Sequence, residues 1–359
     1  MSNILTQYKT NPQRHLFGDI MPFILVALVF LITGMAAVRF YRMVFTPNID
    51  LKGESSVLVY IPSGSDFRAV EKLLVSKGYL RNSSSFEFTS RRMNYTTHVK
   101  AGRYLISDGM SSRQLVGLLR SGRQEPVQVK FQNVRTREEL AGKLGRQLEP
   151  DSLKFIRLFN DSAFLARYGF TRATLFSAFI PNTYEIYWNT SAAQLFKRMY
   201  REYKSFWDGK RRKKCDSLGY TIAEVVTLAS IIEKETARDD EKQVMAGVYI
   251  NRLQKHIPLQ ADPTVIFAWN DYTIRRVYRR HTEINSPYNT YKFVGLPPGP
   301  ICIPSIASID AVLNYIPGKY LYFCAKEDLS GYHNFATTLG EHNRNAKKYQ
   351  EAMDKLNIR

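Results

Sequence analysis

One glutamate stands out as a residue that could carry out acid-base chemistry. Glu233 belongs to the stretch 221–238, in which apolar residues recur at helical spacing. It follows Val226 by seven residues and Ala229 by four, so it projects from the apolar face, whereas Glu235 points away from that face. Burial raises the pKa of a carboxyl group and keeps a proton available near neutral pH, as a general acid requires. The spacing alone favours a structural role, in which Glu233 pairs with an arginine or lies at the edge of the apolar face.

Polar loops further along the chain could bind a ligand rich in hydroxyl and amide groups, such as a sugar. These loops are long and rich in proline, and long ordered loops often carry function. Each residue taken alone also fits a turn or a helix cap. The candidates are Gln260, Asp262, Asn289, Thr290 and Tyr291.

The elements that must position these residues follow from turn and capping signals. Thr221 and Glu224 have capping-box spacing and mark the start of the glutamate helix. Earlier in the chain, the order strand, turn and helix occurs twice. A third strand follows at 127–131. The pattern predicts an α+β fold with a small module at 55–134 and a larger domain at 135–359.

An uncharged apolar segment near the amino terminus has the length of a membrane-spanning helix. It covers 21–38, follows a polar tail at 1–20 and precedes a linker at 39–54. Positive charges flank both ends, so the charge rule does not orient it. A cleaved signal peptide is the alternative, because 34–37 is rich in small residues.

Composition narrows the classes of partner and of site. The formal net charge is +19, which suits an anionic partner such as nucleic acid, a phospholipid surface or an acidic polymer. The three cysteines form no Cys-x-x-Cys pair, although one disulfide could form, and the histidines lack metal-ligand spacing. No phosphate-binding glycine motif occurs. We therefore expect no metal and no cofactor.

Five motifs in one order make the sequence similar to a known family, the YceG-like endolytic murein transglycosylases. The motifs are 228–236 (LASIIEKET), 248–253 (VYINRL), 259–265 (LQADPTV), 286–291 (SPYNTY) and 295–301 (GLPPGPI). The resemblance covers nearly the whole chain after residue 20 and implies an N-terminal membrane helix and a LysM-like module. The chain departs from the family pattern at Asn182 and at 302–305.

The resemblance implies a reaction and roles for the candidate residues. The substrate would be the peptidoglycan glycan strand, cut between N-acetylmuramic acid and N-acetylglucosamine to leave a 1,6-anhydro end. Glu233 matches the first glutamate of the family's Glu-Lys-Glu motif. The resemblance therefore implies that Glu233 acts first as the acid and then as the base. Glu235, Asp262, Asn289 and Tyr291 would position the sugar.

The same resemblance implies a location and partners. The larger domain would lie outside the cytoplasmic membrane, where peptidoglycan synthases would be its partners. Nucleic acid would not be a partner, because no recognition motif accompanies the positive charge. Two other functions stay open: a two-carboxyl hydrolase that uses Glu233 with Glu235 or Asp262, and a glycan-binding scaffold without activity.

Overall fold

The computed structural model describes residues 13–131 and 134–355, with side chains from residue 21 onward. Within them, the chain combines α-helices with three antiparallel strand pairs, which confirms the predicted mixture of helix and strand. It divides into two compact units, Met1–Glu125 and Pro126–Arg359.

The first unit begins with a long apolar helix. Helix α1 spans Gln13–Phe45. Its part Met21–Phe45 contains an 18-residue window with a mean hydropathy of 2.5. The side chains of residues 21–42 are exposed, whereas Val44 is buried. The 25 residues of Met21–Phe45 extend about 37 Å, which exceeds the roughly 30 Å of a bilayer's hydrocarbon core. The helix is therefore compatible with a single-pass membrane anchor. It continues past Val38, so the prediction that a linker begins at residue 39 is wrong; no glycine or proline interrupts the helix there.

The rest of the first unit is a small module around one antiparallel strand pair. Strands β1 and β2 pair antiparallel with Ser56 opposite Ser107. Asp66 and Ser111 cap two of its helices as the turn signals predict, whereas helix α3 was not predicted. Its elements are β1 (Ser56–Ile61), α2 (Phe67–Ser76), α3 (Ser83–Arg92), β2 (Gly102–Ser107) and α4 (Ser112–Ser121).

The residues just before β1 belong to this module. Ile49 and Leu51 are buried in its core, and Asn48 donates from its side chain to Ser112 Oγ at 2.9 Å. The predicted linker at 39–54 is thus wrong in its second half as well, because its apolar residues complete the module's core. The likeness to LysM stays a prediction.

The second unit carries most of the helices and two strand pairs. Strand β3 pairs antiparallel with β4, with Val127 opposite Ile186, so the strand predicted at 127–131 belongs to this unit and not to the module. Strand β5 pairs with β6. The elements are β3 (Val127–Lys130), α5 (Arg137–Gly145), α6 (Ser152–Asn160), α7 (Ser162–Ala166), a 3₁₀ helix (Leu175–Ala178), β4 (Thr183–Ile186), α8 (Ala192–Phe206), α9 (Lys210–Leu218), α10 (Ile222–Glu235), α11 (Lys242–Gln254), α12 (Asp262–Trp269), α13 (Ile306–Leu313), β5 (Tyr322–Ala325), β6 (His333–Ala336) and α14 (Leu339–Lys355).

Helix α10 lies in the core of this unit. It starts at the predicted capping box, in which Thr221 Oγ1 accepts from Glu224 N–H and the Glu224 carboxylate accepts from Thr221 N–H. All eight residues from Val225 to Ile232 are buried, and helices α9, α11, α12 and α13 contact it. Because other elements surround α10, the side chains of its last turn can contact several neighbouring helices and loops.

Candidate functional site

The last three residues of α10 point in different directions. Successive side chains of a helix are rotated by about 100°. Glu233 faces the start of α13, Lys234 lines a cavity beside Arg135 and Tyr272, and Glu235 faces α11. The two glutamates of the Glu-Lys-Glu motif therefore have unrelated surroundings.

Glu233 is held by hydrogen-bond donors and one cation. Its Oε2 accepts from Ser305 Oγ at 2.6 Å, Ser308 Oγ at 2.5 Å and Ser305 N–H at 3.3 Å, and the buried Lys242 ammonium lies 3.3 Å away. Burial alone would raise the pKa of Glu233, but these donors and Lys242 together lower it below the ordinary 4.5. The prediction of a raised pKa at Glu233 is therefore wrong, because every partner of this carboxyl favours its ionised form.

Glu235 is the carboxyl whose surroundings favour the proton. It is partly buried at the end of α10 and accepts one hydrogen bond, from Tyr249 Oη of α11 at 2.7 Å. Burial and the nearby Asp262 carboxylate raise its pKa to about 7, although the bond from Tyr249 opposes the shift. Glu235 points away from the face that carries Glu233, as the helical spacing predicts, and it packs against α11.

A cleft of about 340 Å³ opens beside Glu235. Helices α10, α11 and α12 form its floor, and the β5 strand and the start of α14 contribute its other side. Glu235, Gln260, Asp262 and Tyr291 of the predicted set line it, while Glu233 does not. Its full lining is Glu235, Tyr249, Arg252, Leu259, Gln260, Asp262, Tyr291, Leu321, Tyr322, Phe323, Leu339 and His342.

Asp262 is the second carboxyl of the cleft. It is the first residue of α12 and accepts from Tyr291 Oη at 2.5 Å. The residue as a whole is exposed, but its carboxyl is close enough to protein atoms for burial to raise its pKa, against the effect of Tyr291. Gln260, exposed on the rim, accepts from Arg252 Nη2 at 3.3 Å. Two carboxyls and two hydroxyl or amide groups thus converge on one space.

Asn289 and Thr290 lie close to this cleft in sequence but are enclosed in the protein. Asn289 is fully buried and donates to the carbonyl oxygens of Thr282 and Ile284. Thr290 is buried and its Oγ1 accepts from Ala261 N–H. Direct contact of these two side chains with a sugar, as predicted, does not fit this burial. Their bonds instead hold the 282–291 loop against the start of α12.

Eight residues that line the cleft were not predicted as site residues, and three of them, Tyr249, Arg252 and His342, bear on its chemistry. Tyr249 and Arg252 lie three positions apart on α11 and face the same side. Their spacing as two polar residues in the VYINRL motif could have identified them from the sequence. Arg252 is buried and donates to the carbonyl oxygens of Leu321 and Leu259, which ties β5 to the cleft. His342 stacks on Tyr322; burial and the Arg252 charge lower its pKa, so it is neutral near pH 7.

Comparisons with known proteins agree with this architecture. The model of the YceG-like family matches residues 59–348. The chain is 28% identical to a Bacillus subtilis protein named endolytic murein transglycosylase, with 84% of this chain and 87% of that protein covered. A Streptococcus pneumoniae protein of the same name is 27% identical over 84% of this chain, which spans 60% of that relative's length.

A solved structure shares the fold. The crystal structure of a YceG-like protein from Listeria monocytogenes superposes with a TM-score of 0.55 at 29% sequence identity. The match covers 81% of this chain and 98% of that one.

Proposed function

The chain belongs to the YceG-like family, and from that premise we propose that it is an endolytic murein transglycosylase that cuts peptidoglycan glycan strands internally. The observation that carries the proposal is a carboxyl with a pKa raised to about 7, Glu235, inside a cleft that also holds Asp262. The names of the relatives from Bacillus subtilis and Streptococcus pneumoniae support the substrate.

Glu235 rather than Glu233 is the general acid in this proposal. A group with a pKa near the working pH is protonated in a large fraction of molecules and still gives up its proton readily. Glu235 meets this requirement and lines a cleft. Glu233 is held ionised by Ser305, Ser308 and Lys242, so it has no proton to donate near neutral pH.

The reaction needs one carboxyl in two protonation states. Protonated Glu235 donates to the glycosidic oxygen between N-acetylmuramic acid and N-acetylglucosamine, and the bond from C1 to that oxygen breaks. An oxocarbenium-like centre forms at C1. The ionised Glu235 then takes the proton of the same sugar's C6 hydroxyl, whose oxygen bonds to C1. The product is a 1,6-anhydro end, no water is consumed, and Glu235 is protonated again.

Other cleft residues support this chemistry. Asp262, when ionised, places a negative charge beside the oxocarbenium-like centre. Tyr291 fixes the Asp262 carboxyl by its 2.5 Å hydrogen bond, and the exposed Gln260 is available to the sugar's hydroxyl and acetamido groups. Asn289 and Thr290 act indirectly in this proposal, by holding the loop that carries Tyr291.

Hydrolysis is the second candidate, because Glu235 and Asp262 share one cleft. In that reaction Asp262 would activate water or attack C1, as the second carboxylate of a glycosidase does. The predicted pairing of Glu233 with Glu235 has less support, since the two side chains face different helices.

The apolar helix supports a membrane location. We propose that residues 21–45 cross the cytoplasmic membrane once and hold the second unit on its outer side, where new glycan strands and the synthases that make them are found. A glycan-binding role for the small module belongs to the same proposal.

Mass spectrometry of soluble products from full-length protein and purified glycan strands tests the reaction. Anhydro-muramic ends from internal cuts are expected. Reducing muramic ends would replace the transglycosylase by the hydrolase and give Asp262 the second role. Binding without any cleavage would instead support a scaffold.

A further inference from the structure

A second cavity of the same unit is lined by arginines and has no assigned role. It has a volume of about 450 Å³ and lies between the start of α5, the 3₁₀ helix and the end of α12. We call it the arginine groove and define it by Arg135, Arg137, Arg172, Leu175, Phe176 and Phe267.

The three arginines of the groove have no carboxylate at salt-bridge distance in the described part of the chain, although the charge of Arg135 helps to lower the pKa of the neighbouring Glu139. Neutral groups hold two of the three guanidinium groups. Arg137 Nη1 donates to Asn160 Oδ1 at 2.6 Å, and Arg172 Nε donates to Ser162 Oγ at 2.9 Å. Arg135 lies over the ring of Tyr272 at 4.8 Å. Guanidinium groups held by neutral partners remain available to form charge-assisted hydrogen bonds with an anion.

One carboxylate also lines the groove, so its net charge is smaller than three. Glu138 is exposed and forms no salt bridge in the described part of the chain. Three cations against one anion leave the groove positive. Its apolar walls, from Leu175, Phe176 and Phe267, suit small alkyl groups next to the anion.

The groove and the cleft share helix α12. This helix contributes Asp262 to the cleft and Phe267 to the groove. Five residues separate these positions by about 8 Å along the axis and by a rotation of about 140° around it, so a stem that reaches the groove would pass around α12. The peptide stem of peptidoglycan extends from the muramic acid that is cut, and it carries free carboxylates beside alanine methyl groups. That chemistry matches arginines lined by apolar walls.

We propose that the arginine groove binds the carboxylates of the peptide stem, so that the enzyme prefers strands that keep their stems. This inference rests on the proposed function, since it takes the glycan as the ligand of the neighbouring cleft.

Peptide binding tests the groove without any cleavage. Isothermal titration of full-length protein in detergent micelles would use a synthetic stem tetrapeptide and the same peptide with its carboxyls amidated. The free peptide is expected to bind at least about tenfold more tightly, and Arg137→Gln and Arg172→Gln are each expected to weaken it about tenfold. Arg201→Gln, an exposed arginine of α8 outside the groove, is the matched control and should bind as the wild type does.

Three results would overturn the peptide site. They are equal binding of the free and amidated peptides, wild-type affinity in the Arg137→Gln/Arg172→Gln double variant, and tighter binding of inorganic phosphate than of the free peptide. The amidated peptide keeps the test decisive even if an arginine variant fails to fold.

Cleavage kinetics then separate the two proposals. Strands with stems and strands stripped of stems by an amidase would be compared. The arginine variants should raise KM about tenfold for the first substrate only, with kcat unchanged. An equal loss on both substrates would contradict the stem site. If the wild type cleaves neither substrate, the transglycosylase proposal fails, while the titrations still decide whether the groove binds peptide.

Discussion

The surroundings of Glu233 and Glu235 differ as much as those of two separate sites, although one residue lies between them. Glu233 meets two serine hydroxyls, a backbone N–H and a buried lysine. Glu235 meets a single tyrosine hydroxyl and a cleft. The pKa is lowered at the first and raised at the second. Burial acts on both carboxyls, so the donors and the charges around each one decide the direction of its pKa shift.

The difference also distinguishes a carboxylate that stabilises the fold from a carboxyl that can take part in a reaction. The Glu233 carboxylate joins α10 to α13 and α11 through contacts that all fall on its Oε2. A carboxyl with one donor keeps an oxygen free for a substrate. The number of donors therefore distinguishes the two carboxyls better than burial does.

The largest expected effect is the loss of cleavage in Glu235→Gln. The amide keeps the size of the side chain and its bond to Tyr249 but cannot exchange a proton, so the rate should fall about 10²–10⁴-fold. The measurement is the initial rate of release of soluble glycan, with circular dichroism to verify folding. A folded Glu235→Gln protein with near wild-type rates would return the acid role to Glu233.

Glu233→Gln should destabilise the fold and leave the chemistry of cleavage intact. Removing one partner of a buried ion pair usually costs about 3–5 kcal/mol. Lys242 keeps Asp239 at 2.7 Å, so we expect about 2–3 kcal/mol, measured by urea unfolding of the variant and the wild type. The folded fraction should still cleave glycan. Unchanged stability together with abolished cleavage would reverse the roles of the two glutamates.

The pH dependence should follow Glu235. Because the proposed reaction needs the proton of Glu235 for its first step, kcat/KM should fall as pH rises through about 7. Tyr249→Phe removes the hydrogen bond that lowers this pKa, so the fall should move to higher pH. Tyr322→Phe is the control: it removes a hydroxyl from the same cleft that does not act on the pKa of Glu235, so the profile should stay in place. A profile that Tyr249→Phe does not move would exclude Glu235 as the titrating group.

The two carboxyls also affect stability in opposite directions. Glu235 binds its proton more tightly in the folded state, so its contribution is present below pH 4.5 and is lost as pH rises through about 7. Glu233 stabilises the fold above pH 4.5, and that stabilisation is lost as pH falls through its lowered folded value.

The sequence by itself determined where α10 begins, the apolar segment near the amino terminus and the order of the five motifs. These depend on local signals: the Thr221–Glu224 capping box, an uncharged run, and residues close together in the chain. The order of the motifs also allowed Gln260, Asp262 and Tyr291 to be grouped with Glu235 in one site.

Only the tertiary structure decided which glutamate faces the cleft. Glu233 receives its donors from Ser305 and Ser308, more than seventy residues away, and Glu235 receives its bond from Tyr249 on another helix. The prediction from helical spacing assumed that only one face of the helix is buried, whereas α10 is buried on all sides. A carboxyl's pKa depends on the groups that surround it in space, and for both glutamates those groups come from other parts of the fold.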